Sequence, residues 1–143
     1  MLDTNIYIHA IRSAAARQEL AAFQRLRAPH LHQHAVVVAE LLAGAADEAA
    51  LARWHERWVA PFERVARVIA PGYGTWQEAA RILVRLVAGG HISRTPVARG
   101  LFHDCLLAAG AREHGYILVT HNTRDFELIE RVLPGLRYTP PFP

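Results

Sequence analysis

Only four aspartates occur in 143 residues, and three of them fall where a short apolar run gives way to a helical one. Asp3 follows Met1-Leu2 and opens Asp3-Thr4-Asn5. Asp104 leads into the apolar stretch Cys105-Leu106-Leu107-Ala108-Ala109. Asp125 comes shortly after the apolar run 116–120, in Thr120-His121-Asn122-Thr123-Arg124-Asp125-Phe126. Glu40 supplies a fourth carboxylate, directly after Ala35-Val36-Val37-Val38-Ala39. Carboxylates gathered from the ends of separate elements are the donors a hard divalent cation takes. Asn122 adds an amide oxygen able to bind a cation or orient water.

Each acid also has a plainer reading. Asp3 with Thr4 can cap a helix N-terminus, and Asp104 and Asp125 can sit in a first turn for the helix dipole. Glu40 lies between Val38 and Leu41-Leu42. There a carboxylate is costly unless a cation or an arginine offsets it. A shared site accounts for all of them at once.

The basic residues, 16 in number, are all arginine. A GC-rich coding sequence yields such a bias, and guanidinium forks also suit phosphate. With a net charge of +3 and a pI near 9.6, the chain tolerates a polyanionic partner. An acidic centre with a basic rim fits a metal-dependent nuclease. Arg12, Arg94, Arg99 and Arg124 are candidates for holding backbone phosphates.

Other chemistries lack support. Cys105 is the single cysteine, so it reads as core packing, with no intrachain disulfide, in a reducing compartment. His30, His32 and His34 alternate as zinc ligands on a strand could, but no cysteine pair or His-Glu-x-x-His motif joins them. A solvated loop-and-strand edge is expected instead. His103 could contact substrate, and His121 could approach a phosphate. Trp54, Trp58 and Trp76 read as core or dimer contacts. Phosphate-loop, dinucleotide-binding and nucleophile-elbow motifs do not occur. No signal peptide or membrane span of roughly 18 apolar residues is evident, which predicts a cytosolic protein.

The elements that must position these groups follow from periodicity. A helix begins at residues 6–11 and continues over 14–26 toward Pro29, burying Ala16, Leu20, Phe23 and Leu26. Residues 34–38 read as a buried strand, passing into a short helix over 39–44 closed by Gly44. Asp47 or its neighbour caps a helix ending near Pro61. Residues 65–70 form a strand candidate. Thr75 with Glu78 has capping-box spacing for a helix using Ala79, Ile82, Leu83, Leu86 and Val87 and ending at Gly89-Gly90. Residues 91–100, with Pro96, read as a loop. A helix over 102–114, a strand over 116–120, a helix over about 124–133 and a strand over 136–138 complete the chain before the proline-rich tail 140–143. Short strands alternating with helices predict an α/β sandwich with a mostly parallel sheet. In such sheets ligands gather beyond the carboxyl ends of the strands, where these acids are expected.

Taken together, five segments resemble the PIN-domain ribonucleases, and within them the VapC-type toxins of bacterial toxin–antitoxin pairs. They are Leu2-Asp3-Thr4-Asn5-Ile6, Val38-Ala39-Glu40-Leu41-Leu42-Ala43-Gly44, Asp104-Cys105-Leu106-Leu107-Ala108-Ala109, Glu113-His114-Gly115 and Leu118-Val119-Thr120-His121-Asn122-Thr123-Arg124-Asp125-Phe126. In order and spacing the match spans the chain, although residues 48–99 are not diagnostic. The resemblance implies a PIN-like three-layer α/β/α sandwich, one domain over residues 1–143. It also implies an acidic triad of Asp3, Glu40 and Asp104 around Mg²⁺ or Mn²⁺, with Asn122 or Asp125 in the fourth position. Asp3 and Asp104 would be direct metal ligands, and Glu40 would orient water or act as general base. An RNA substrate, a homodimer and a cognate VapB-like antitoxin whose tail occludes the crevice are likewise implied. Two departures stand out: an asparagine where some relatives carry an acid, and little chain before Asp3 for a first strand, which is either very short or preceded by residues encoded upstream. A catalytically inactive PIN-like binding module, a metal-dependent phosphatase and a receiver-like domain are the alternatives. The receiver lacks the late lysine it needs.

Overall fold

Parallel pairing dominates the computed structural model, which describes residues 1–95 and 99–141. Strand β1 (Gln33–His34) pairs in parallel with β2 (Val68–Ile69), and β3 (Ile117–Val119) in parallel with β4 (Arg137–Thr139). The expected first strand is reduced to one parallel bridge between Leu2 and Val119. Hydrogen bonds frame that bridge: Asp3 N–H donates to the Val119 carbonyl at 3.0 Å, and Val119 N–H to the Met1 carbonyl at 2.9 Å. The chain therefore leaves β3 and the Leu2 bridge side by side, with Asp3 and Thr120 emerging together.

The helices are α1 (Thr4–Arg12), α2 (Ala14–Arg27), α3 (Ala35–Ala43), α4 (Glu48–Trp54), α5 (Ala60–Glu63), α6 (Tyr73–Ala88), α7 (Arg99–Glu113) and α8 (Thr123–Glu130). Ser13 separates α1 from α2, and its hydroxyl caps the second helix at Ala16 N–H. Asp47 caps α4, accepting from Ala50 N–H at 2.7 Å. A π-helical stretch over His55–Val59 precedes Pro61. Proline has no N–H for the carbonyl one turn back, and widening of the helix accommodates the loss.

Several expectations need correction. The valine run is helical: β1 ends at His34, and α3 begins at Ala35. The His34 ring explains the switch, since its Nδ1 accepts from Val36 N–H at 3.2 Å and caps the helix. Val36, Val37 and Leu41 then share a buried face, which outweighs the modest helix penalty of valine. Thr75 does not cap α6, whose N-cap is Gly72; its hydroxyl donates to Glu113 at 2.6 Å, while Glu78 pairs with Arg81 and Arg85. Leu26 is 74% exposed rather than buried. The loop expected over 91–100 gives way to α7 from Arg99. Pro96, and Phe142 with Pro143 in the tail, lie outside the described residues.

The core centres on α7, whose consecutive residues Cys105, Leu106, Leu107, Ala108, Ala109, Gly110 and Ala111 are all buried. A helix apolar on every side is one enclosed by its neighbours, and α6 packs along it. Gly115, at φ +69°, turns the chain from α7 into β3 in the left-handed conformation glycine tolerates. Among the described residues no helix is long and apolar enough to cross a membrane.

Candidate active site

Asp3 is 4% exposed and sits at the N-cap of α1. Its Oδ1 accepts from Thr4 N–H at 2.6 Å. Capping does not exhaust the side chain, because Oδ2 accepts from Asn5 Nδ2 and from Thr120 Oγ1, each at 2.6 Å. Thr120 is fully buried and also accepts from Asn5 Nδ2 at 3.0 Å and Asn122 N–H at 2.9 Å. Burial raises the Asp3 carboxyl above the usual aspartate value, opposed by these hydrogen bonds and reinforced by the nearby Glu40 charge.

Glu40 projects from the second turn of α3, not from the end of a strand. It is held from two sides: Thr4 Oγ1 donates to Oε2 at 2.5 Å, and His103 Nδ1 meets Oε1 at 2.6 Å. Three elements thus fix one carboxylate.

Asp104 lies in the second turn of α7, which starts at Arg99, so the cap reading of this residue fails. Asn122 Nδ2 donates to Asp104 Oδ2 at 3.1 Å and to Asp125 Oδ2 at 2.8 Å, bridging the two carboxylates. Asn122 and Asp125 thus both stand beside Asp104 at the crevice. Burial pushes the Asp104 carboxyl up to about 8, helped by the charges of Asp3, Asp125 and Glu40.

Asp3, Glu40, Asp104, Asn122 and Asp125 all line one open crevice of about 500 Å³, with Thr4, Ile8 and Gly100 among its walls. Among the described residues none of these acids is paired with an arginine; Glu40 has only His103. Thr4, expected only to help Asp3 cap a helix, binds Glu40, and Asn5 and Thr120, which carry no role in the sequence reading, complete the site's hydrogen-bond network. A polar Thr120 ending an apolar strand was the signal available.

The remaining candidates are dispersed. His34 is fully buried against Gly110, not solvated, and burial lowers it to about 4. His32 stacks on Tyr116 instead, and His30 ends a 3-10 turn. His121 packs edge-on against His9 outside the crevice wall. Cys105 is buried, its thiol pushed up to about 12 by burial and the Asp104 and Asp125 charges, consistent with packing. Arg12, Arg94, Arg99 and Arg124 are exposed. Trp58 is in the core, whereas Trp76 is 46% exposed beside Phe102.

A family model described as the PIN domain matches residues 1–132. The chain belongs to the PIN-domain family. Its fold is accordingly the PIN-like α/β/α sandwich with parallel strands. Among solved structures, DNA-bound VapBC from Salmonella typhimurium is similar at 26% identity and TM-score 0.73, over 98% of this chain and 96% of that one. VapBC2 from Rickettsia felis, bound to a promoter DNA fragment, is 21% identical at TM-score 0.69, with the same coverages of 98% and 96%. FitAcB from Neisseria gonorrhoeae is 19% identical at TM-score 0.70, again over 98% and 96%. The latter two are likenesses of fold. Among curated proteins, none matches the sequence.

PIN domains are generally dependent on a divalent metal, and the donor set fits one. It is all oxygen, drawn from carboxylates with no arginine counter-charge, which suits a hard cation. Among the described residues no three His, Cys, Asp or Glu groups already converge as a cage.

Proposed function

We propose that the chain is a metal-dependent endoribonuclease, acting as the toxin of a toxin–antitoxin pair and hydrolysing RNA phosphodiesters with Mg²⁺ or Mn²⁺. The observation that carries this reading is the single crevice in which Asp3, Glu40, Asp104 and Asp125, from four segments of the chain, meet without an arginine. Membership of the PIN family and the fold shared with VapBC and FitAcB support the toxin assignment. The same kinship supports a VapB-like antitoxin as partner, and a homodimer and a cytoplasmic setting belong to the same proposal.

Asp3 and Asp104 are the residues that would hold the ion. When bound, a divalent cation supplies Lewis-acid polarisation of a phosphoryl oxygen and acidifies water. Glu40 accepts the proton of the attacking water as its oxygen bonds to phosphorus in line with the departing oxygen. Thr4 and His103 keep that carboxylate in one orientation, so no reorganisation is needed at the moment of transfer. Asn122 spaces Asp104 from Asp125 and limits their repulsion. Asn5 and Thr120 hold Asp3.

The test uses purified protein with a synthetic RNA and, separately, a phosphomonoester, each with Mg²⁺ and with chelator. RNA is cut only with the metal, Asp3→Ala and Asp104→Asn abolish cutting, and Glu40→Gln slows it by about 10²–10⁴-fold. RNA bound but never cut would make the chain an inactive binding module. Equal turnover of the monoester would make it a phosphatase.

A further inference from the structure

A second open cleft, of about 320 Å³, is lined by Ile11, Arg17, Arg53, Trp54, Arg57 and Trp58. Three guanidinium groups thus share one cleft wall. Glu56, the acid between Arg53 and Arg57 in sequence, is taken by Arg64. Among the described residues no carboxylate pairs with Arg17, Arg53 or Arg57. Arg17 is fixed in place, donating from Nε to the Ala10 carbonyl and from Nη2 to the Ile11 carbonyl, both at 3.1 Å. The Arg57 guanidinium lies 4.8 Å over the Trp58 ring. Arg53 and Arg57 are exposed one helical turn apart, and Trp54 between them is half-buried.

Two helices join this cleft to the acidic crevice. On α1, Thr4 and Ile8 line the crevice and Ile11 lines the arginine cleft, all on one face at helical spacing. On α3, Glu40 faces the crevice, and Gly44, one turn on, lies against Trp54, whose ring is 3.5 Å from where a Cβ would be. From Thr4 to Ile11 is about 10 Å along the helix, or about three nucleotides at the stacked spacing of a strand.

We infer that this cleft holds the single-stranded flank of the RNA whose scissile phosphate lies in the crevice, an inference that rests on the nuclease reading. Arg53 and Arg57 engage backbone phosphates, with Arg17 as a preset third contact, and the half-buried Trp54 ring on the cleft wall offers a base a stacking partner. The combination of a positive groove with an aromatic platform is how single strands are bound without regard to sequence. Charge complementarity decides for a polyanion, and adjacency to the acidic crevice decides for the substrate strand.

The experiment measures equilibrium binding of a fluorescein-labelled ten-nucleotide RNA to the full chain in chelator, where no cutting occurs, over a range of salt. Wild type is compared with Arg53→Ala/Arg57→Ala, with Trp54→Phe and with Arg131→Ala, an exposed arginine elsewhere. The double variant is expected to bind at least about tenfold more weakly, and its log–log salt slope to fall by about 1.4, at roughly 0.7 per lost phosphate contact on a single strand. Trp54→Phe, which keeps a ring over Gly44, retains most of the affinity, and Arg131→Ala matches wild type. Unchanged affinity and slope in the double variant, while wild type binds and cuts RNA, overturns the inference and leaves the nuclease reading standing. Wild type that neither binds nor cuts RNA removes that reading first. Polyglutamate binding that the double variant loses, with RNA binding intact, assigns the cleft to an acidic protein partner and equally overturns the inference.

Discussion

At the residue scale, Asp104 shows what the carboxylate cluster costs the fold. Its carboxyl is raised to about 8 by burial and by the charges of Asp3, Asp125 and Glu40, from near 4 in an unfolded chain. A group whose value is higher in the folded state favours folding while protonated. Its contribution is complete below pH 4 and is lost as pH rises toward 8. Relative to Asp104→Asn, which lacks this titration, the metal-free wild type is therefore expected to lose melting temperature progressively between pH 5 and 8. Mg²⁺ competes with protons for the same oxygens, so it should raise the melting temperature more at pH 8 than at pH 5. Calorimetric scans of both proteins, with and without Mg²⁺, check this. A difference between wild type and Asp104→Asn that stays constant or grows in favour of wild type with pH would contradict it.

At the element scale, the placement of Glu40 depends on α3 starting at the right residue. His34 sets that start by capping Val36 N–H, and its buried ring lies against Gly110 in the middle of α7. A Cβ on Gly110 would come within 2.6 Å of His34 Nε2. Alanine is a better helix former than glycine by about 1 kcal/mol. Overpacking against a ring that cannot leave its cap costs about 1–3 kcal/mol. Gly110→Ala is thus expected to destabilise, and the sign should reverse in a His34→Ser background, where a smaller cap leaves room. Urea denaturation of the four proteins gives the coupling as a double-mutant cycle. The same contact explains why residues 34–38 read as a strand. Three valines favour extended backbone, and the His34 cap together with the burial of Val36, Val37 and Leu41 makes the helical alternative win.

At the scale of the whole molecule, 16 arginines against 13 acids leave a net charge of +3, while one crevice is lined by four carboxylates. The field that draws a polyanion is that of the basic chain as a whole, while the acidic crevice repels it until a cation is bound. Screening weakens the first effect, since the Debye length falls from about 10 Å at 0.1 M to 3 Å at 1 M. RNA cleavage should therefore lose kcat/KM steeply with added NaCl while kcat at saturating RNA changes little. Initial rates across NaCl concentration test this, and a kcat that falls as steeply as kcat/KM would place the salt effect on the chemistry instead.

From the sequence alone, the scarcity and placement of Asp3, Glu40, Asp104 and Asp125 were enough to expect a common site. Residue type and element order are local information, and the parallel α/β plan follows from them. The strand over 117–119, the cap at Asp47 and the α6 core face of Ala79, Ile82 and Leu86 were legible for the same reason. Other features were settled only by contacts between distant segments: Thr120 on Asp3 across 117 positions, His103 on Glu40 across 63, and Asn122 between Asp104 and Asp125. Hydrogen bonds of that kind carry no periodicity along the chain. The orientation of each carboxylate, and the helical state of the valine run, were decided by tertiary packing.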